Sequence, residues 1–382
     1  MRKGEAVMVG RKPDYWLILI TFLLLGFGLV MVFSTSYYIG LTDFNDTYHF
    51  FRKQLVFAGI GLLCFFIFSN IRYTYYRKYV AFILLACFIL LIAVLFVADT
   101  INGAKRWIDI GFTSFQPSEF VKLGIIIYTS SIMIKKQPVM NQFKRAIVPP
   151  LTVIGLICLL LMLEPHYSAI VIIFFTSFVI IFCAGAKLKH LLLVFLACIP
   201  LLAASLFLAD YRVDRLTSVL NPWKDENDTG YQLLQSLFAI GPGGLTGTGL
   251  GNSIQKLAYL PEAHTDFIFS IIGEELGFIG GTTVILLFIL LIVRGIIISI
   301  QAPNLFGTLL GVGIVSLIAI ETIFNLGVVT GLLPVTGVPL PFISYGGSAL
   351  LVKCIEIGIL LNISRYRVQK KKSRPNPSLE VT

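Results

Sequence analysis

The stretch LPEAHTDFIFSIIGEELGFIGG, Leu260 to Gly281, turns from a polar loop into a long apolar helix within a few residues. It places Asp266 where an aqueous reaction can meet a membrane-bound substrate, because a carboxylate at such a boundary stays ionised while touching lipid-phase chemistry. A blander reading stands beside that one: Thr265 or Asp266 caps the helix that follows. Outward from this point the apolar character recurs. Of 382 residues 57% are hydrophobic and only 13% charged, and the apolar residues come in runs of about twenty, the length that crosses a bilayer. The chain therefore reads as an all-α, polytopic membrane protein. Its first run, Trp16 to Phe33, is too long for a signal-peptide core and no small-residue cleavage site follows, so it reads as a retained helix. Cys64, Cys87, Cys158, Cys183, Cys198 and Cys354 fall inside apolar runs without CxxC spacing and read as small core residues.

Ten transmembrane helices can be drawn, at about 15–37, 52–70, 79–98, 118–134, 146–163, 167–185, 190–209, 266–291, 303–330 and 346–363. With the N-terminus inside, twenty of the thirty basic residues fall in cytoplasmic segments, a bias that sets both termini in the cytoplasm. The net charge of +10 follows mostly from that topology, since the C-terminal run RYRVQKKKSR sits beside an anionic inner leaflet. Nucleic acid is not needed to explain it. The organisation is a cytoplasmic tail (1–14), a single membrane domain (15–364) and a basic cytoplasmic tail (365–382). The long loop between helices 7 and 8, 210–265, faces outward. Within it Gly230 to Ile240 has apolar residues at helical spacing and reads as an interfacial segment, followed by the glycine-rich GPGGLTGTGLGNS. A second outer segment, TGLLPVTGVPLPFISYGG from Thr330 to Gly347, is too apolar for a solvent loop. It reads, over 331–345, as a re-entrant hairpin lining a cavity, where bare backbone is tolerated at membrane depth.

Charges inside the spans are functional hypotheses by default, because they are costly there. They are Glu119 with Lys122, Glu274 with Glu275, Glu321, and Lys353 with Glu356. Counted from the outer span ends, Glu274, Glu321, Lys353 and Glu356 lie roughly 10–15 Å down. That is one layer in the outer half, which argues for a pocket open outward and against a polar path across the membrane. Alternatively, the (i, i+3) pairs Glu119–Lys122 and Lys353–Glu356 simply neutralise each other. That leaves Glu274, Glu275 and Glu321 to be matched by protons, cross-helix hydrogen bonds or a loop cation. Gly273, Gly277 and Gly281 form a small-residue stripe suited to helix packing.

Four stretches, GAKRWIDIG (Gly103 to Gly111), QPSEFVKL (Gln116 to Leu123), the run from NPWKDEND at Asn221 to GEELG at Gly277, and LPVTGVPLPFISYGGSALL (Leu333 to Leu351), closely resemble the SEDS proteins. This is the shape, elongation, division and sporulation family of FtsW, RodA and SpoVE. The likeness covers nearly the whole chain, and GNSIQKL followed by LPEAHTDFIF is most similar to the FtsW/SpoVE division and sporulation branch. It implies a peptidoglycan glycosyltransferase that polymerises lipid II on the outer face of the cytoplasmic membrane. The implied partners are a class B penicillin-binding protein transpeptidase and divisome or sporulation proteins. Asp266 matches the family's essential loop aspartate and Trp107 its functionally important tryptophan. Two positions depart from the pattern. Many relatives read Pro-Asp-x-Gly where this chain has Pro165-His166-Tyr167-Ser168, so that aspartate's role passes to Glu164 or His166 or is absent; and Thr336 stands where some relatives carry lysine.

The implied reaction needs one base and stabilisation of a departing diphosphate, unlike the paired-carboxylate chemistry of glycoside hydrolysis. Asp266 is the candidate base. Arg212, Arg215, Lys224 and Lys256 are candidates for the diphosphate, as are the N–H groups of the glycine-rich run; the alternative is that long translocated loops carry basic residues freely. Trp107, beside Lys105 and Arg106, is a substrate contact or an interfacial anchor, and His264 assists Asp266 or holds the loop. The expected substrate contacts are Trp107, Glu119, Lys122, Arg212, Arg215, Lys256, His264, Glu275, Glu321, Ser344 and Lys353. No GxxxxGK[ST], DxD or His-rich motif occurs, so no nucleotide site or cofactor is indicated, while a divalent cation is left open. The rival reading is a lipid II flippase or proton-coupled transporter, weakened because no inverted repeat is detectable. A pure scaffold would leave the charged layer unexplained.

Overall fold

Each of the ten apolar stretches is helical, since an apolar run in lipid satisfies its backbone only within itself. The computed structural model describes residues 12–98, 105–109, 111, 114–207, 210–224 and 229–366, with side chains for all of these except 198–199, 201–214 and 224–229. In chain order the helices are α1 (Tyr15–Phe44), α2 (His49–Asn70), α3 (Thr74–Lys78), α4 (Val80–Val97), α5 (Pro117–Lys136), α6 (Phe143–Ala146), α7 (Val148–Leu163), α8 (Tyr167–Cys183), α9 (Leu188–Phe207), α10 (Asp210–Leu220), α11 (Thr229–Ile240), α12 (Ile268–Ile300), α13 (Leu305–Val329) and α14 (Gly347–Arg365). A short antiparallel hairpin, β1 (Ile108–Asp109) with β2 (Ser114–Phe115), precedes α5. The tails 1–14 and 365–382 lie largely outside the described residues.

Among the described residues six helices, α1, α2, α4, α12, α13 and α14, are long and apolar enough to cross a membrane, with α7, α8 and the start of α9 as shorter apolar helices. The protein is a multi-pass membrane protein. In the 210–265 segment α11 occupies the stretch that helical spacing marked out. Residues 331–346 hold no helix, and Leu340, Phe342 and Ile343 within them are buried.

Two polar cross-links tie α1 to α12. Asp14 caps α1 by accepting from the Leu17 N–H at 3.1 Å and pairs with Arg294 at 2.6 Å. Further along, the Ser34 hydroxyl donates to both oxygens of Glu275 at 2.7 and 2.9 Å. Asp14 and Ser34 are separated by about 30 Å of helix, the thickness of a hydrocarbon core. The Asp14 N–H also donates to Ser364 at the end of α14. Measured from that level, Lys353 lies about 16 Å and Glu356 about 12 Å along α14, well short of Glu275. The single charged layer expected from the sequence is therefore two layers, one near mid-depth and one at the Ser34 level.

α12 is broken at Gly277, whose φ of 63° and ψ of −160° only glycine adopts without strain. The break frees backbone groups on both sides, and the glycine-rich run satisfies them. Thr248 and Gly249 donate their N–H groups to the carbonyls of Glu274 and Glu275 at 2.9 and 3.0 Å, while Phe278 and Ile279 donate to Gly244 and Leu245 at 2.9 and 3.1 Å. Gly277 thus receives a loop rather than a neighbouring helix, contrary to the packing stripe expected. A Cβ at Gly277 would lie 2.7 Å from the Leu245 carbonyl oxygen. Gly277→Ala is expected to cost at least about 1–3 kcal/mol, read as a lowered melting temperature of the detergent-solubilised protein; a wild-type melting temperature would contradict this account of the break.

Candidate active site

α12 begins at Ile268 with Phe267 at its N-cap position and no side-chain cap, so neither Thr265 nor Asp266 caps the helix. The Thr265 hydroxyl instead donates to the Glu262 carboxylate at 2.6 Å. Asp266 is half-buried and faces Gly337, where a Cβ would stand 3.3 Å from its Oδ2. Gly337 has φ of 67°, so glycine is needed there for both conformation and room.

Two side chains bind this segment to the 331–346 loop, and a third ties that loop to α2. The Asn325 amide of α13 donates to the Asp266 carbonyl at 2.7 Å and to the Val338 carbonyl at 2.8 Å. The Ser344 hydroxyl donates to the Thr265 carbonyl at 2.6 Å and accepts from the Leu340 N–H at 2.8 Å. Gln54 of α2 donates to the Ser344 carbonyl and accepts from the Gly346 N–H. Tyr345 adds a backbone bond to the His264 carbonyl at 2.9 Å. The His264 ring packs between Phe50 and Tyr345, with centroids 4.7 and 5.5 Å away, so His264 holds the loop. Ser344 accordingly acts on the backbone here. Asn325 and Gln54 escaped sequence reading, because a lone amide in an apolar helix carries no motif.

Burial and the neighbouring Glu262 push the Asp266 carboxyl up to about 7, against the pull of Arg215. Arg215 also donates to the Val335 carbonyl at 3.2 Å, which brings it beside the same loop. Burial lowers His264, keeping it neutral near pH 7. A carboxylate poised near neutral pH at a half-open position suits proton transfer.

The charges within the helices form two separate groups. At mid-depth Lys122 pairs with Glu119 at 2.9 Å and with Glu321, and Lys353 pairs with Glu321 at 2.8 Å and with Glu356 at 2.9 Å. Both (i, i+3) pairs exist, and Glu321, which the sequence left without a partner, bridges them. Glu119, Glu321 and Lys353 line a cavity of about 10 Å³ under Leu340 and Ser344, room for about one water. The second group joins Glu275 to Lys256 at 2.5 Å, both fully buried, so Lys256 and Glu275 are corrected from substrate contacts to partners of each other. The N–H groups of Thr248 and Gly249 likewise serve α12 rather than an anion. Glu274 and Glu275 therefore leave the pocket, and the groups assembled around Asp266 come from α2, α13, the segment before α12 and the 331–346 loop.

Trp107 is half-buried just before β1. The side chain of Arg212 lies outside the described residues. Where relatives carry Pro-Asp-x-Gly, the Arg106 guanidinium donates to the Glu164 and Pro165 carbonyls. Burial pushes Glu164 up to about 8 and His166 down to about 3, so both are neutral near pH 7. Ser168 donates to the Thr336 carbonyl, which brings this turn against the loop that faces Asp266.

A family model described as "Cell cycle protein" and named for FtsW, RodA and SpoVE matches residues 15–369. The chain belongs to this family. Stage V sporulation protein E of Bacillus subtilis (strain 168) is 46% identical over 357 residues, covering 93% of this chain and 98% of that protein. The protein named "Probable peptidoglycan glycosyltransferase FtsW" of Coxiella burnetii is 42% identical over 360 residues, covering 92% and 96%. Among solved structures, a chain described under "Structural coordination of polymerization and crosslinking by a peptidoglycan synthase complex" superposes with a TM-score of 0.76 at 27% identity, covering 94% of this chain and 99% of that one. The rod shape determining protein RodA of Thermus thermophilus superposes with a TM-score of 0.66 at 27% identity, covering 94% and 98%. In this SEDS chain the mid-depth ion pairs hold α5, α13 and α14 together. Glu321→Gln removes the bridge between the two lysines but leaves each with its own (i, i+3) glutamate, and is expected to cost about 1–3 kcal/mol, measured by thermal unfolding in detergent; unchanged unfolding would show that the cluster is not a structural unit.

Proposed function

We infer that this chain is a peptidoglycan glycosyltransferase of septal or sporulation wall synthesis in which Asp266 is the general base. The observation that carries the reading is the state of Asp266: a half-buried carboxylate held near neutrality, making no ion pair among the described residues. The 4-hydroxyl of lipid II attacks the anomeric carbon of the growing lipid-linked glycan. As the new C–O bond forms, the hydroxyl proton passes to Asp266, the bond to diphosphate breaks, and undecaprenyl diphosphate leaves with inversion. Arg215, whose charge acts on Asp266, suits the departing charge in this reading, with Arg212 and Trp107 as further substrate contacts. Lys122, Glu119, Glu321 and Lys353 support the loop from beneath instead of touching sugar. A divalent cation, if used, would arrive on the diphosphate oxygens.

The membrane arrangement proposed is ten crossings with both termini cytoplasmic and the Asp266 end extracytoplasmic, at the bacterial cytoplasmic membrane. The charge bias of the loops supports it, and α5 falls below the apolar threshold of the six clear spans because it carries Glu119 and Lys122. A class B penicillin-binding protein is the proposed partner, in keeping with the similarity to a chain of a peptidoglycan synthase complex. Transport of lipid II or protons is the second reading, favoured by the mid-depth position of the Lys122–Glu321–Lys353 cluster. Its ion pairing and one-water cavity count against passage of a solute.

The test is glycan strand formation from lipid II in detergent with a partner transpeptidase. Asp266→Asn is expected to lower the rate by about 100- to 10,000-fold, and equal polymer from both proteins would remove the base assignment. Translocation of lipid II in liposomes without polymer would favour the transporter. Because the base must be ionised, the wild-type rate should rise with pH to a midpoint at about 7. Glu262→Gln removes a neighbouring negative charge, lowers the Asp266 value and should move that midpoint to lower pH; Arg215→Gln should move it up. Shifts of opposite sign in the measured pH profiles would contradict the assignment.

A further inference from the structure

A base must stay within hydrogen-bond reach of its hydroxyl, and a displacement of about 1 Å costs on the order of 100-fold in rate. Asp266 lies at the end of about 25 residues, from Gly241, that contain no α-helix. Two consecutive carboxylates of α12 grip the middle of that run. Glu274 accepts from the Ser253 hydroxyl at 2.5 Å and from the Ile254 N–H at 2.8 Å. Glu275 accepts from the Lys256 ammonium at 2.5 Å and from the Ser34 hydroxyl of α1 at 2.7 and 2.9 Å. Lys256 also donates to Ser34 at 3.2 Å and lies 5.0 Å from the ring centroid of Tyr37.

A fully buried ion pair adds little net stability compared with apolar groups of the same shape, so stability alone does not account for a loop lysine carried into the bundle. Register does. From Lys256 to Asp266 the chain runs through successive tight turns: Leu257 donates to Ile254, Leu260 to Gln255, and both Thr265 and Phe267 to Glu262. Leu260, Ala263 and Phe267 are buried along the way. Any shift at Lys256 is therefore passed to Asp266 instead of being absorbed between them.

We propose that Lys256, Glu275 and Ser34 are positioning residues for polymerisation, fixing the register of the loop so that the Asp266 carboxylate keeps its seat against Gly337. The proposal rests on Asp266 being the base. The ionisable groups around that seat are Glu262, Arg215 and His264, and those around the clamp are Glu274 and Tyr37. Released from its seat, Asp266 gains solvent and its raised value relaxes downward.

The experiment compares the full-length protein with its Lys256→Met and Ser34→Ala variants, with partner transpeptidase and lipid II, per mole of monodisperse protein. Lys256→Met should lower kcat by about tenfold or more with KM nearly unchanged, and should move the rising limb of the pH profile to lower pH. Ser34→Ala should do the same more weakly. Since Lys256→Met strands a buried carboxylate, the Lys256→Met/Glu275→Gln double variant, which removes both charges, is measured alongside and should show the same loss. A wild-type kcat and pH limb in the double variant and in Ser34→Ala would overturn the clamp while leaving the base assignment intact. Wild-type polymerisation by Asp266→Asn would instead overturn the base assignment, and the clamp with it.

Discussion

One amide joins two irregular segments that meet at the candidate site. Asn325 donates both N–H bonds of its side chain, one to the Asp266 carbonyl and one to the Val338 carbonyl. Backbone outside regular structure has no neighbour to satisfy it at membrane depth, and each stranded group is costly there. In the 331–346 loop Asn325, Ser344 and Gln54 supply hydrogen bonds that a helix would have supplied. The glycine-rich run does the same for the break in α12. The wall against which Asp266 rests is therefore built from backbone, and its side chains are mostly fasteners.

That arrangement separates the carboxylates by task. Glu119, Glu321, Glu356 and Glu275 each meet a lysine in the buried interior, and these pairs fix helices or loops to one another. Asp266 has no such partner among the described residues and is pushed toward neutrality by burial and by Glu262. A carboxylate that a cation does not hold can take up and release a proton near pH 7.

The helices were legible in the sequence because lipid admits little else for runs of twenty apolar residues, and α11 was legible from its spacing alone. Asp266 stood out as a candidate from its place at a loop-to-helix junction and from the family resemblance. The pairing of charges was only half legible. The (i, i+3) pairs follow from helix geometry, but the bridge through Glu321 and the burial of Lys256 on Glu275 depend on which helices are neighbours, which a linear depth count does not contain. Depth counting placed Glu274 and Lys353 in one layer because it treated the outer end of every span as the same plane. The glycine stripe was legible only in part for a related reason: small residues show that something approaches closely, and only the fold shows that Gly273 meets Ile240 at the end of α11 while Gly277 meets the 243–247 loop. Asn325 and Gln54 had no signature, since their role is set by backbone groups far away in sequence.

The central claim is that Asp266 takes the proton of the attacking hydroxyl. The most direct measurement is an experimental structure of the enzyme with lipid II and a donor analogue whose diphosphate is replaced by a non-cleavable phosphonate. The account predicts the Asp266 carboxylate within about 2.6–3.2 Å of the acceptor 4-hydroxyl, with the anomeric carbon beyond it and Arg215 on the phosphonate side. An acceptor hydroxyl seated instead against Glu164, His166 or the Lys122 cluster, with Asp266 turned away from both sugars, would contradict it.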